Sequence, residues 1–116
     1  GAAAGIAPDR IAAVLAASTG ASWSAEVACP APGGVADAPS SHGYAGGFAV
    51  RLMVKDLELA AASWGGGESE GGGGLPPSSR LPLAAAAAAL FRRAAAAGAG
   101  DLDFSVLYRE VYKEGK

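Results

Sequence analysis

The sequence predicts an all-α domain. Apolar residues recur at helical spacing in four stretches, prolines and glycines fall at the ends of those stretches, and no run of alternating or clustered β-branched residues signals a strand. With 116 residues, the chain is long enough for one small domain with a core of its own.

The first helix is expected over 8–18. Pro8 suits a first helical position, where its missing N–H costs nothing. Ile11, Val14 and Leu15 share a face, and Gly20 follows. Ser22–Val27 can add one further turn. From Pro30 to Gly47, prolines and glycines interrupt any period, which predicts an ordered loop. The second long helix is expected over 48–64. Residues 65–80 open with GGGESEGGGG and predict a flexible linker. They match neither phosphate-binding pattern, GxxxxGK[ST] or GxGxxG after a strand, and their two central glutamates would repel phosphate. A third long helix is expected over 82–97, with Leu83, Ala87, Leu90, Phe91 and Ala94 as its apolar stripe and Gly98 as its stop. The last is expected over 102–113. Phe104, Leu107, Tyr108 and Val111 share its apolar face, and Asp101, Asp103 and Lys113 are placed to suit the helix dipole.

Composition excludes several function classes. A net charge of −2 provides no basic footprint for nucleic acid or an acidic membrane surface. The longest apolar run, Leu81–Phe91, falls far short of the roughly 20 residues that span a bilayer. Cys29 is the single cysteine, so no internal disulfide forms. Cys29 and the lone His42 make no metal-ligand spacing, and no metal site is expected. Ser41 beside His42 does not constitute a catalytic triad, which is assembled in space. Arg92–Arg93 reads as a solvated face. Residues 1–28 carry no secretory signal pattern. Gly1–Gly5 reads as the end of a helix already under way, so the chain is expected to be a piece of a longer protein. Alanine supplies much of the apolar content, and burial gains scale with apolar area, so few large side chains are expected to hold the core.

The stretch GGFAVRLMVKDLELA (46–60) carries the most chemistry. On a helical wheel, Val50, Met53, Val54, Ala60, Ala61 and Trp64 fall within about 60° of Leu57 and form a core stripe. Arg51, Lys55 and Glu58 form the wet face. Asp56 falls at about 260°, among Leu52, Leu59 and Ser63. A carboxylate within an apolar arc needs a partner. Arg51 and Lys55 lie on the other face, and His42, Arg92 and Arg93 would have to fold back. The alternatives are a hydrated position at the edge of the packed face or a partner outside this chain.

At this point the sequence resembles a known family. GGF followed by a helix bearing KDLELA is similar to the cofactor-side signature of the 3-hydroxyisobutyrate dehydrogenase family. STGASW (18–23), PAPG with PSSHGYAGGF, and LPLAAAAAALFRRAAAAGAGDLDFS match further family segments in order. The resemblance implies a helical bundle like the C-terminal domain of 3-hydroxyisobutyrate and 6-phosphogluconate dehydrogenase-like enzymes. Residues 1–116 would form this single domain, without the N-terminal Rossmann domain. It implies an NAD-dependent oxidoreductase that oxidises 3-hydroxyisobutyrate to methylmalonate semialdehyde in valine catabolism, a homo-oligomer, and a mitochondrial location.

By position, the resemblance places Phe48, with Gly46 and Gly47, and Lys55 at the cofactor. It gives Asp56 a supporting role and Trp23, with Ser22, a place in the substrate-pocket wall. For Trp23 the competing reading is plain packing at a helix turn. The family's catalytic lysine lies in a GxGxxxKxxxN motif that does not occur here, so no catalytic residue is expected in this chain and the chain alone is expected to be inactive. Two departures stand out: Ala62 replaces a family aspartate, and the linker is longer than expected. NAD versus NADP is decided in the Rossmann half. A domain of a glyoxylate or tartronate semialdehyde reductase is an alternative, as is a non-catalytic helical binding or dimerisation module derived from such an enzyme.

Overall fold

A computed structural model describes residues 4–65 and 81–114. The expected linker lies outside the described residues from 66 onward. Among the described residues the secondary structure is helical, and the sole β feature is an isolated antiparallel bridge between Ala49 and Asp103.

Pro8 opens α1 (Pro8–Ala16), and Asp9 sits in its first turn, where the dipole favours an anion. The helix ends two residues earlier than expected. Ser18 turns back and gives both its backbone N–H and its hydroxyl to the Leu15 carbonyl, at 3.2 and 3.1 Å, which closes the last turn. The Ser22 hydroxyl caps the one-turn helix α2 (Trp23–Glu26) by accepting from the Ala25 N–H at 3.2 Å.

The loop that follows is ordered by its own side chains. Ser40 Oγ donates to the Cys29 carbonyl at 2.6 Å, Ser41 Oγ to the Val35 carbonyl at 2.7 Å, and Tyr44 Oη to the Pro30 carbonyl at 3.2 Å. The serines beside His42 therefore tie a loop around the 3-10 turn Pro39–His42.

The long helix α3 spans Val50–Gly65 rather than 48–64. Phe48 and Ala49 stay outside it because their backbone pairs with Asp103 and Phe104. α3 packs along α4 (Pro82–Ala94), where the alanine run permits close approach. Ala88, Phe91 and Ala94 are buried. Leu83, expected in the stripe, is 85% exposed. It occupies the first turn, whereas the part of α4 packed on the core begins at Ala87. The expected 82–97 helix is α-helical only to Ala94. A wider π-type turn, Ala95–Ala99, follows, and Gly98 adopts φ 90° inside it, which ends the helix.

The last expected helix, 102–113, instead starts as a 3-10 turn over Phe104–Val106 and continues as α5 (Leu107–Glu114). Asp103 lies outside it, at φ −56° and ψ 141°. Val111, expected on the apolar face, is about half exposed. The core comprises Tyr44, Val50, Phe91, Ala94, Ala99 and Val106, with Met53, Val54, Leu57, Leu102, Phe104 and Leu107 packed around it.

Tyr44 joins the loop to this core. It is buried despite a positive φ of 65°, and the Arg109 guanidinium carbon stands 5.3 Å from its ring centroid. Such cation–π contacts contribute roughly 0.5–2 kcal/mol. Burial raises the phenol above its ordinary 10.0, and the Arg109 charge opposes that rise. The unfolded chain therefore ionises first as pH climbs past 10.0, so this stabilisation is complete below 10.0 and is lost above it. Tyr44→Phe is expected to cost about 1 kcal/mol at neutral pH, from the lost hydrogen bond. It should also flatten the alkaline fall in stability. Urea midpoints across the pH range measure both effects.

Candidate functional site

Gly46, Gly47 and Phe48 form the approach to α3. Gly46 and Gly47 have φ 76° and 66°, values that L side chains rarely adopt. At Gly47 space adds a second constraint. A Cβ there would overlap Asp103 Oδ2 and lie 2.8 Å from Asp103 Cγ.

The Asp103 carboxylate is buried and uses both of its oxygens. Oδ2 accepts from the Phe48 N–H at 2.8 Å, and Oδ1 accepts from the Ser105 N–H at 3.0 Å. Backbone bonds surround this clamp. The Asp103 N–H donates to the Tyr44 carbonyl at 2.9 Å, and the Phe104 N–H to the Phe48 carbonyl at 2.8 Å. The Phe48 ring meets Phe104 edge to face, with centroids 6.5 Å apart and planes at 74°. Phe48 is thus fixed from behind, yet its side chain is 38% exposed.

The first amides of α3 are already engaged. Val50 and Arg51 donate to the Leu102 and Gly100 carbonyls at 2.9 and 3.0 Å. A helix N-terminus holds phosphate through such free N–H groups. This one does not have them to offer, so the site does not suit a pyrophosphate. An apolar ring stands before the helix, and a cation stands further along it.

Lys55 supplies the cation, about 7.5 Å along the axis from the start of α3. Its ammonium lies 2.7 Å from Asp56 Oδ1, and both side chains are about half exposed, at 58% and 50%. This corrects the expectation that Lys55 cannot reach Asp56. The two stand on different arcs, but the long lysine stem bends across. An exposed pair of this kind stabilises the fold by at most about 1 kcal/mol. The wheel's neighbours for Asp56 are in place, but the arc is not covered: Leu52 is 37% exposed and Leu59 56%. Arg92 pairs with Glu58 instead, its Nε and Nη2 both 3.0 Å from Oε1, and Arg51 pairs with Asp101.

Trp23 and Ser22 lie elsewhere, at α2, whose main neighbour is α1. Trp23 is 67% exposed, so it does not serve as plain packing within this chain. A groove of about 500 Å³ has Ser24 and Pro30 in its lining together with Phe91, Phe104 and Tyr108. Phe104 is therefore shared between the groove and the Phe48 contact. No acidic or basic side chain lines the groove, and none of the expected site residues does. Sequence reasoning assigned Asp103 only a dipole role. Its contact to Phe48 joins positions 55 residues apart, which no local pattern carries.

A family model described as "NAD-binding of NADP-dependent 3-hydroxyisobutyrate dehydrogenase" matches residues 1–111. A probable mitochondrial 3-hydroxyisobutyrate dehydrogenase of Arabidopsis thaliana is 49% identical over 59 residues, which are 51% of this chain and 17% of that protein. The NAD-dependent L-serine dehydrogenase of Pseudomonas aeruginosa is 43% identical over 60 residues, 52% of this chain and 20% of that one. The solved structure of Mycobacterium tuberculosis 3-hydroxyisobutyrate dehydrogenase with L-serine is similar at a TM-score of 0.70 and 30% identity. That likeness covers 93% of this chain and 33% of that protein. The chain thus spans about a third or less of these relatives.

The two glycines are expected to differ in tolerance. Gly46→Ala meets open space and costs only the strain of a positive φ, about 1–2 kcal/mol. Gly47→Ala adds displacement of the buried carboxylate and should cost at least about 2 kcal/mol more. Denaturant midpoints of the two variants measure the difference.

Proposed function

The chain belongs to the 3-hydroxyisobutyrate dehydrogenase family, and from that membership we propose that it forms the C-terminal helical domain of a two-domain, NAD-dependent hydroxy-acid dehydrogenase. The matching family model is an NAD-binding one, and a nicotinamide cofactor would supply the acceptor for a hydride from the substrate's carbinol carbon. This chain supplies one wall of the site, and the proton acceptor comes from the preceding domain. Phe48 presents an apolar face that excludes water beside the nicotinamide end. Lys55 places a positive charge within reach of the cofactor or of the substrate's carboxylate, and Asp56 holds the ammonium in place. The exposed Leu52–Asp56–Leu59 arc docks against the nucleotide-binding domain. Trp23 closes the substrate side.

The observation that carries this reading is the placement of Phe48 and Lys55. Phe48 stands exposed just before α3 and Lys55 exposed about a turn and a half into it, and the first amides of the helix are too engaged to bind phosphate. The preferred substrate is 3-hydroxyisobutyrate, with serine, glyoxylate and tartronate semialdehyde as the related alternatives. Mitochondrial relatives support a mitochondrial location. Among the described residues no helix is long and apolar enough to cross a membrane. Exposed Val14, Leu15 and Val27 on the α1–α2 layer favour burial against a second copy in a homo-oligomer.

Three measurements test the proposal. The 116-residue chain, mixed with NAD⁺ and 3-hydroxyisobutyrate, should give no NADH absorbance, and turnover would refute the domain assignment. In the two-domain protein, Lys55→Ala should raise KM for NAD⁺ or for substrate about tenfold, the equivalent of roughly 1.4 kcal/mol. Asp56→Ala should reduce kcat/KM more than Glu58→Ala does. Equal effects would remove Asp56 from the site.

A further inference from the structure

The geometry points to Asp103 as a positioning residue for the cofactor-side wall, a role that goes beyond capping a helix and that rests on the dehydrogenase reading above. A cap requires one acceptor. The turn Phe104–Val106 obtains it from Oδ1, 3.0 Å from the Ser105 N–H. A serine or threonine would serve there equally well and would bury no charge. Asp103 instead buries a carboxylate whose second oxygen holds the Phe48 N–H at 2.8 Å, 55 residues away. Gly47 leaves that oxygen its space, because a Cβ would occupy it. The Phe48 carbonyl is held in turn by the Phe104 N–H at 2.8 Å, and the Phe48 ring by the Phe104 ring.

Phe48 is therefore fixed at its N–H, at its carbonyl and along its ring edge, and every tether comes from residues 103–104. Two residues further on, α3 begins and carries Lys55. A small shift of the Asp103 carboxylate moves the wall and the start of the helix together. Fixing a wall in advance lowers the ordering cost of binding, so its loss appears in affinity.

Asp103→Ser separates the two roles, since a hydroxyl can cap Ser105 but has no second oxygen for Phe48. In the full two-domain protein this variant is expected to raise KM for NAD⁺ about tenfold with a much smaller change in kcat at saturating cofactor. Gly47→Ala, which leaves the cap residue intact, should show the same split. The double variant should be no worse than the more affected single one, because both changes break one contact. Ala12→Gly, a buried change inside α1, whose main neighbour is α2, gives a destabilised control whose KM for NAD⁺ should stay at the wild-type value. If Asp103→Ser fails to fold, Asp103→Asn keeps the volume and one acceptor, and its KM should rise by a smaller factor.

An Asp103→Ser or Asp103→Asn protein that is destabilised yet has wild-type KM for NAD⁺ would overturn the positioning role and leave the dehydrogenase reading standing. A wild-type protein that does not bind NAD⁺ would overturn both.

Discussion

One buried carboxylate organises the approach to α3. Asp103 joins two segments that are far apart in sequence, and it does so through backbone amides, whose positions do not depend on side-chain rotamers. The isolated bridge with Ala49, the start of α3 and the turn into α5 all meet at this residue. Burying a carboxylate is costly unless it is hydrogen-bonded. Here each oxygen has an N–H partner, and the positive end of the following helix adds to them. The penalty for losing either partner is correspondingly large, and it explains why a glycine is required at position 47.

Large side chains are few, so the remaining stability comes from close helix packing. Alanines on α4 bring it against α3, and valines at 50 and 106 are fully buried where the helix starts converge. Tyr44 closes the loop over this core with its ring under Arg109. Apolar side chains left exposed on α1, α2 and α3 are more than so small a core requires. They suit a domain whose faces are completed by other parts of a larger protein, as in the proposed two-domain enzyme.

Much of this was legible in the sequence. Among the described residues, a helix lies in each of the four stretches where helical spacing recurs, because an amphipathic period survives in a packed helix. Their ends were less legible. α3 starts at Val50 rather than 48 because Phe48 and Ala49 pair with Asp103 and Phe104, and α4 stops at Ala94 because Gly98 turns the chain. The wheel identified the neighbours of Asp56 but not their exposure. Angular position says which residues share an arc and nothing about what lies opposite that arc. Asp103 was legible only as a helix-start acid, since one oxygen acts locally and the other acts across 55 residues.

Amide hydrogen exchange at Phe48 in the folded protein tests the central claim most directly. With the amide held by a buried carboxylate, exchange should be as slow as at Val50 and Arg51, whose amides are also bonded across the fold. Exchange at the rate of the open Gly46 amide would show that the carboxylate does not hold this segment, and would contradict the account.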